Sequence, residues 1–204
     1  MTRLDKARKA ISGYIAPPVV RLLAKTPVTP NTITCLGFCL AATAAVLVVT
    51  GHLLAAGLVV LFGGLFDMLD GALARATNRV TRFGGILDST LDRLSEAVLL
   101  LSLLVIYTRG QQVAGSLLVG LALIGSLMVS YLRARIEAIG IECRVGLFTR
   151  TERVMVLALG LLLSPFDNAL MIAVAVITVF SWFTAGQRLF YAWSQTKAPP
   201  AGRS

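Results

Sequence analysis

The sequence predicts an all-α integral membrane protein: six transmembrane helices preceded by an N-terminal interfacial amphipathic helix. Three observations carry that reading. Of 204 residues, 56% are hydrophobic and only 14% charged, against about a quarter charged in a soluble domain. The mean hydropathy is +0.81. Apolar runs, most of them near the roughly 20 residues that cross about 30 Å of hydrocarbon, alternate with short segments that hold most of the lysines and arginines. This balance excludes a soluble enzyme, a disordered regulator and a secreted disulfide scaffold. A net charge of +9 would suggest nucleic acid in a soluble chain. Here it reads as membrane topology, and no nucleic-acid partner is expected.

Residues 2–24 set Arg3, Lys6, Arg8, Lys9 and Arg21 against Leu4, Ile11, Tyr14 and Ile15. Pro17 and Pro18 interrupt the segment, so it reads as a helix lying along the membrane rather than a seventh span. No short apolar run with a small-residue cleavage site marks a signal peptide. The first span runs from about Thr32 to Thr50 and is broken by Gly51 and His52. The second covers Leu53 to about Arg75. The third spans Phe83 to Tyr107 and is ended by Arg109 and Gly110, and the fourth runs from Gln111 towards Gly140. A short fifth, Val154 to Leu163, closes at Ser164 and Pro165. Thr149 and Glu152 form a capping-box pattern that would extend it by a polar turn. The sixth covers Ala169 to Trp193. One domain, residues 1–204, is expected, with 1–30 a cytoplasmic juxtamembrane segment and 195–204 a flexible tail.

Orientation follows from counting charges. With the N-terminus inside, seventeen Lys and Arg fall on the cytoplasmic side, Arg109 falls on the other, and Arg93 lies within a span. That asymmetry places both termini in the cytoplasm of a multi-pass protein of the cell inner membrane. Cys35 and Cys39 lie one turn apart in an apolar run and Cys143 is alone in a polar loop, so no disulfide framework is implied. His52 reads as a turn residue, and Trp182 and Trp193 as interface anchors or packing residues.

Four of the ten acidic residues, Asp67, Asp70, Asp88 and Asp92, fall inside the second and third spans, where carboxylates are costly and mark functional sites. At 100° per residue, Asp67, Asp70, Gly71, Ala74 and Arg75 share an arc of roughly 140°, and Asp88 and Asp92 share a face of the next helix. The short loop at 76–82 predicts that the two helices pack antiparallel, with both aspartate pairs at matching depths of roughly 7 and 12–14 Å. Clustered hard oxygen ligands suit Mg²⁺ or Mn²⁺. Gly63, Gly64, Gly71, Ala72, Ala74, Gly84 and Gly85 would allow the close backbone approach that such a cage needs. An ion-pair network of Asp88 or Asp92 with Arg75 or Arg93 is the alternative.

The full string, Asp67-x2-Asp70-Gly71-x2-Ala74-Arg75-x8-Gly84-x3-Asp88-x3-Asp92, resembles the signature of the CDP-alcohol phosphotransferases. The resemblance covers residues 28–190. It implies two divalent cations, Mg²⁺ or Mn²⁺, held by Asp67, Asp70, Asp88 and Asp92, with Asp92 also the base for the acceptor hydroxyl. Gly71 and Ala74 would leave room for the cytidine nucleotide of CDP-diacylglycerol, and Arg75 would hold its diphosphate. Asn31, Thr32, Ile33, Thr34 and Thr81 match further nucleotide-contacting positions.

Basic residues at the ends of the last three spans suit a phosphorylated alcohol acceptor, because guanidinium forks grip phosphate bidentately. This half of the chain looks like the bacterial phosphatidylinositol-phosphate synthases, whose acceptor-phosphate positions correspond to Arg133, Arg153 and Arg188, with Ser130 and Arg135 nearby. Arg133 stands where those enzymes commonly carry lysine. Plain topology with Arg133–Glu137 pairing at i, i+4 is the alternative for this cluster, and glycerol 3-phosphate is the alternative acceptor. The reading from another class is a divalent-cation transporter. A homodimer is implied by the family resemblance alone.

Overall fold

The computed structural model describes residues 28–77 and 79–197, together with Val20 and Thr26. Most of the expected N-terminal amphipathic segment and the end of the tail lie outside the described residues. Among the described residues from 28 onward, six helices follow one another: α1 (Pro30–Val49), α2 (Leu53–Ala76), α3 (Arg82–Arg109), α4 (Val113–Ala138), α5 (Arg150–Leu162) and α6 (Ala169–Lys197). Among the described residues there is no strand.

Local chemistry explains the boundaries. Thr29 caps α1 by accepting the Thr32 amide, and Pro30 sits where its missing N–H costs nothing. Thr81 caps α3 by accepting the Gly84 amide at 2.9 Å. The polar turn expected ahead of the fifth span is present: α5 starts at Arg150, with the Glu152 carboxylate accepting the Thr149 amide at 2.8 Å. α6 continues four residues past Trp193 because Lys197, one turn on, lays its ammonium 3.9 Å from the centre of the Trp193 ring.

Four helices, α1, α2, α4 and α6, are long and apolar enough to cross a membrane. α3 has the length, but Asp88, Asp92, Arg93 and Glu96 interrupt its apolar character. The 13 residues of α5 reach only about 20 Å, short of the hydrocarbon thickness. Large apolar side chains such as Val46, Leu58, Phe62, Leu117, Val179 and Phe183 are exposed on the outside, as they would be in lipid rather than in water.

The principal packing contacts join α1 to α2, α2 to α5, α5 to α6, α6 to α4, α4 to α3 and α3 back to α1, closing a ring. Its core occupies the half where α2, α4 and α6 begin, with Val48, Val60, Leu103, Val119, Leu157 and Ile177 buried together. A smaller cluster of Val20, Ile33 and Leu73 lies at the opposite end.

The ring corrects one expectation. α2 and α3 pack chiefly on α1 rather than on each other. The small residues of α2 serve its other neighbours: a Cβ at Gly63 would lie 3.7 Å from Leu40 of α1, and one at Gly57 would meet the Leu162 side chain of α5 at 2.9 Å. Gly64 and Gly85 border open space. Two facing helix surfaces that each carry two carboxylates gain nothing from direct contact, so α1 acts as the shared support. The α5–α6 contact is tighter still, since a Cβ at Gly160 would collide with Ala173. Gly160→Ala is therefore expected to destabilise the chain by about 1–3 kcal/mol. A lowered midpoint of heat unfolding in detergent checks this, and an unchanged midpoint refutes the tight contact.

Candidate active site

The aspartates stand in the half of the ring that the apolar core leaves free, where α1, α3 and α5 begin and α2 ends. α1 forms the back wall. Its buried Thr34 hydroxyl donates to Asp70 Oδ2 at 2.9 Å, and the Gly71 amide donates to Asp70 Oδ1 at 2.5 Å. Asp70 is thereby fixed at both oxygens and only 6% exposed, because a carboxylate tolerates burial when its oxygens are hydrogen-bonded. One turn away, Asp67 lies against Gly37 of α1, where a Cβ would come within 3.5 Å of Oδ1. Asp88 and Asp92 face the same space from α3, near enough that all four charges act on one another.

A residue that sequence reasoning did not assign resolves part of that repulsion. Arg150, the first residue of α5, sets its Nη1 2.7 Å from Asp67 Oδ2 and 2.7 Å from Asp92 Oδ1. One cation thus joins carboxylates from two helices that have little direct contact of their own. Arg75 and Arg93, the cations of the ion-pair alternative, are placed otherwise. Arg93 Nη1 donates to Ser89 O of its own helix, and the exposed Arg75 folds back over Gly71, where a Cβ would stand 3.5 Å from its Nη1. From the sequence Arg150 reads as one of the basic residues at helix ends that suit an anionic acceptor, since its reach to the aspartates depends on tertiary packing.

Packing also fixes where α5 enters. The Arg153 guanidinium, 1% exposed, donates from Nε and Nη2 to the two carboxylate oxygens of Glu96 at 2.5 and 2.8 Å, tying α5 to α3. Glu96, one turn past Asp92, thus spends its carboxylate on Arg153. The buried Arg188 donates to Val145 O at 3.0 Å and Val129 O at 2.5 Å, strapping the α4–α5 connection to α6. Gly146 makes this possible: its φ is +143°, and a Cβ there would approach Arg188 Nη2 to 2.9 Å. Phe148 N–H donates to the Thr184 hydroxyl at 3.2 Å, completing the strap.

The remaining sequence candidates divide. Asn31 and Thr81 meet at Gly84, where a Cβ would stand 3.2 Å from Asn31 Oδ1 and 2.9 Å from Thr81 Oγ1. Gly71 and Ala74 are half-buried on α2 beside this end. Thr32 is exposed and pairs with the Thr29 hydroxyl at 2.8 Å. Thr34 positions Asp70, and Ile33 packs against Leu73, so both act from behind the site surface. Arg188 lies close enough to Arg133 and to Arg153 for their charges to act on it. Arg133 pairs with Glu137 at 2.8 Å, the i, i+4 pairing open from the sequence. Arg135 is exposed and Ser130 half-buried at the same end of α4.

Among the described residues, no three acidic, histidine or cysteine side chains gather into a metal-sized group. The Asp67–Nη1–Asp92 bridge nevertheless marks a point where two carboxylates accept one positive charge. The surrounding donors are carboxylate oxygens, so the residues fit a hard divalent cation.

Known proteins share this sequence and fold. The archaetidylinositol phosphate synthase of Methanothermobacter thermautotrophicus is 38% identical over 199 residues, covering 95% of this chain and 96% of the relative. The crystal structure of Mycobacterium tuberculosis phosphatidylinositol phosphate synthase with CDP-DAG bound superposes with a TM-score of 0.83 at 34% identity, covering 93% of this chain and 98% of that one. The same enzyme in complex with manganese and citrate gives a TM-score of 0.80 at 33% identity, covering 93% of each chain. Residues 27–183 match the CDP-alcohol phosphatidyltransferase family, and with the aspartate string intact on α2 and α3 the chain belongs to that family.

Proposed function

We propose that the chain transfers the phosphatidyl group of CDP-diacylglycerol to a hydroxyl of inositol phosphate, releasing CMP. The observation that carries this is the convergence of Asp67 and Asp92, from separate helices, on one cationic atom at 2.7 Å, beside three arginines that suit a phosphorylated acceptor. Both relatives act in inositol phosphate lipid synthesis by name, and one binds CDP-DAG.

Asp67, Asp70, Asp88 and Asp92 are the ligands for two Mg²⁺ or Mn²⁺ ions, a reading supported by the manganese complex of the relative. Such ions, when bound, neutralise the diphosphate and stabilise charge on the departing CMP. Arg75 grips the diphosphate, Gly71 and Ala74 leave the nucleotide room, and Asn31 and Thr81 contact it. Thr34 holds Asp70 in place. The acceptor oxygen attacks the phosphorus that bears diacylglycerol, the bond from that phosphorus to the CMP oxygen breaks, and Asp92 takes the hydroxyl proton. Arg133 and Arg135, with Ser130, favour an anionic acceptor over an uncharged one, and the buried Arg153 and Arg188, their donors held by Glu96 and by backbone carbonyls, act on it by charge rather than by contact.

Six spans are consistent with this chemistry. Asp88, Asp92 and Glu96 of α3 turn into the ring, while its Leu94, Leu101 and Val105 are exposed outside, and α5 is supported by α2 and α6. The chain forms one domain in the inner membrane, with both termini and the site cytoplasmic, and pairs as a homodimer. Cation transport fits poorly, because the carboxylates lie toward one end of the ring with Arg150 among them.

CMP release from CDP-diacylglycerol in proteoliposomes, with inositol phosphate, glycerol 3-phosphate and inositol compared as acceptors, tests the reaction. Inositol phosphate should give the highest kcat/KM, and preference for glycerol 3-phosphate would replace the acceptor without touching the reaction class. EDTA should abolish CMP release, with Mg²⁺ or Mn²⁺ restoring it. Full activity in exhaustively chelated vesicles would sink the two-metal reading.

A further inference from the structure

Arg150 occupies an unusual position for a residue at a carboxylate site. Its Nη1 contacts both an α2 and an α3 aspartate, so it stands on oxygens that a divalent cation would also need. A guanidinium at contact distance takes up one oxygen of each carboxylate and repels a second cation there, so it competes with a metal ion for those oxygens. The pose is also imperfect: Arg150 Nε is buried with no hydrogen-bond partner, and an unmade donor is costly. The side chain is 25% exposed, so it has a way out towards solvent. Its backbone is anchored on both sides, by Glu152 accepting the Thr149 amide and by Glu96 holding Arg153. Side-chain rotation alone therefore releases it.

We propose that Arg150 is a latch that holds Asp67 and Asp92 together and that a divalent cation displaces as it loads. The latch keeps four mutually repelling carboxylates assembled before loading, and it sets a threshold that a weakly binding cation does not pass. The inference rests on the metal reading of the aspartates, and the experiment separates the two.

Mn²⁺ binding to the purified full-length chain in detergent, without substrates, is measured calorimetrically for the wild type, Arg150→Gln, Arg150→Met, Asp67→Asn and Asp92→Asn. Removing the competitor should tighten Mn²⁺ binding at least tenfold in both Arg150 variants, whereas Asp67→Asn should bind it much more weakly and Asp92→Asn, which keeps a ligating oxygen, should lose less. If the Asp variants bind Mn²⁺ as the wild type does, the metal reading fails. If they lose Mn²⁺ while the Arg150 variants bind it no more tightly, the latch fails and the metal site stands. A second measurement needs no variant. Phenylglyoxal labelling of Arg150 in the wild type, read by peptide mass spectrometry, should rise several-fold on adding Mn²⁺. Labelling that stays level or falls overturns the latch even should the variants fold poorly.

Discussion

Asp92→Asn is expected to slow a single turnover by about 10²–10⁴-fold, the usual cost of losing a general base. The amide keeps an oxygen that can still touch a cation but loses basicity and charge. CDP-diacylglycerol affinity should fall much less, because Asp67, Asp70, Asp88 and Arg75 remain. Asp67→Asn should instead weaken metal and nucleotide-lipid binding together, since it removes a hard ligand without touching the base. Both variants also lose one arm of the Arg150 bridge, so that shared effect cancels in the comparison. Affinity and single-turnover rate at saturating Mg²⁺ decide the matter. Equal loss of affinity in the two variants would make Asp92 chiefly a ligand and move the base elsewhere.

The second large effect is structural. Glu96→Ala leaves the Arg153 guanidinium, 1% exposed, as a buried charge without its carboxylate, which typically costs about 3–5 kcal/mol. The expected result is a steep fall in the heat-unfolding midpoint of the detergent-solubilised chain. Removing both charges together, as Glu96→Leu with Arg153→Met, should recover most of that stability, because well-packed apolar pairs often equal a buried ion pair. The double variant should still be impaired with inositol phosphate if Arg153 also serves the acceptor. A single Glu96→Ala variant as stable as the wild type would show that the pair holds nothing in place.

The two sets of residues differ in how far they could be read in advance. The aspartates announce themselves because a carboxylate within an apolar run is costly and its helical spacing is a matter of arithmetic. Glu96 and Arg153, 57 residues apart, carry no local sign of each other. Each alone looks like a helix-packing residue or one more charge of the membrane topology. Arg188 is similar: as a charge near a helix end it suggests a phosphate ligand, yet its donors go to the carbonyls of Val129 and Val145. Thr34 reads as a nucleotide contact and is found behind Asp70.

The sequence by itself determined the helical class, the positions of the six helices to within a few residues, the short polar start of α5 and the aspartate string on adjacent helices. These depend on hydropathy, on capping chemistry and on the 3.6-residue period, all of which act within a few residues along the chain. Tertiary structure alone decided that α1 supports both aspartate helices, that Gly57 and Gly63 serve α5 and α1, and that Arg150 reaches Asp67 and Asp92. Those outcomes depend on which surfaces remain compatible once six helices close into a ring. Carboxylates that repel keep α2 and α3 from packing face to face, and the guanidinium that joins them comes from the start of α5, which the closed ring brings to the same end.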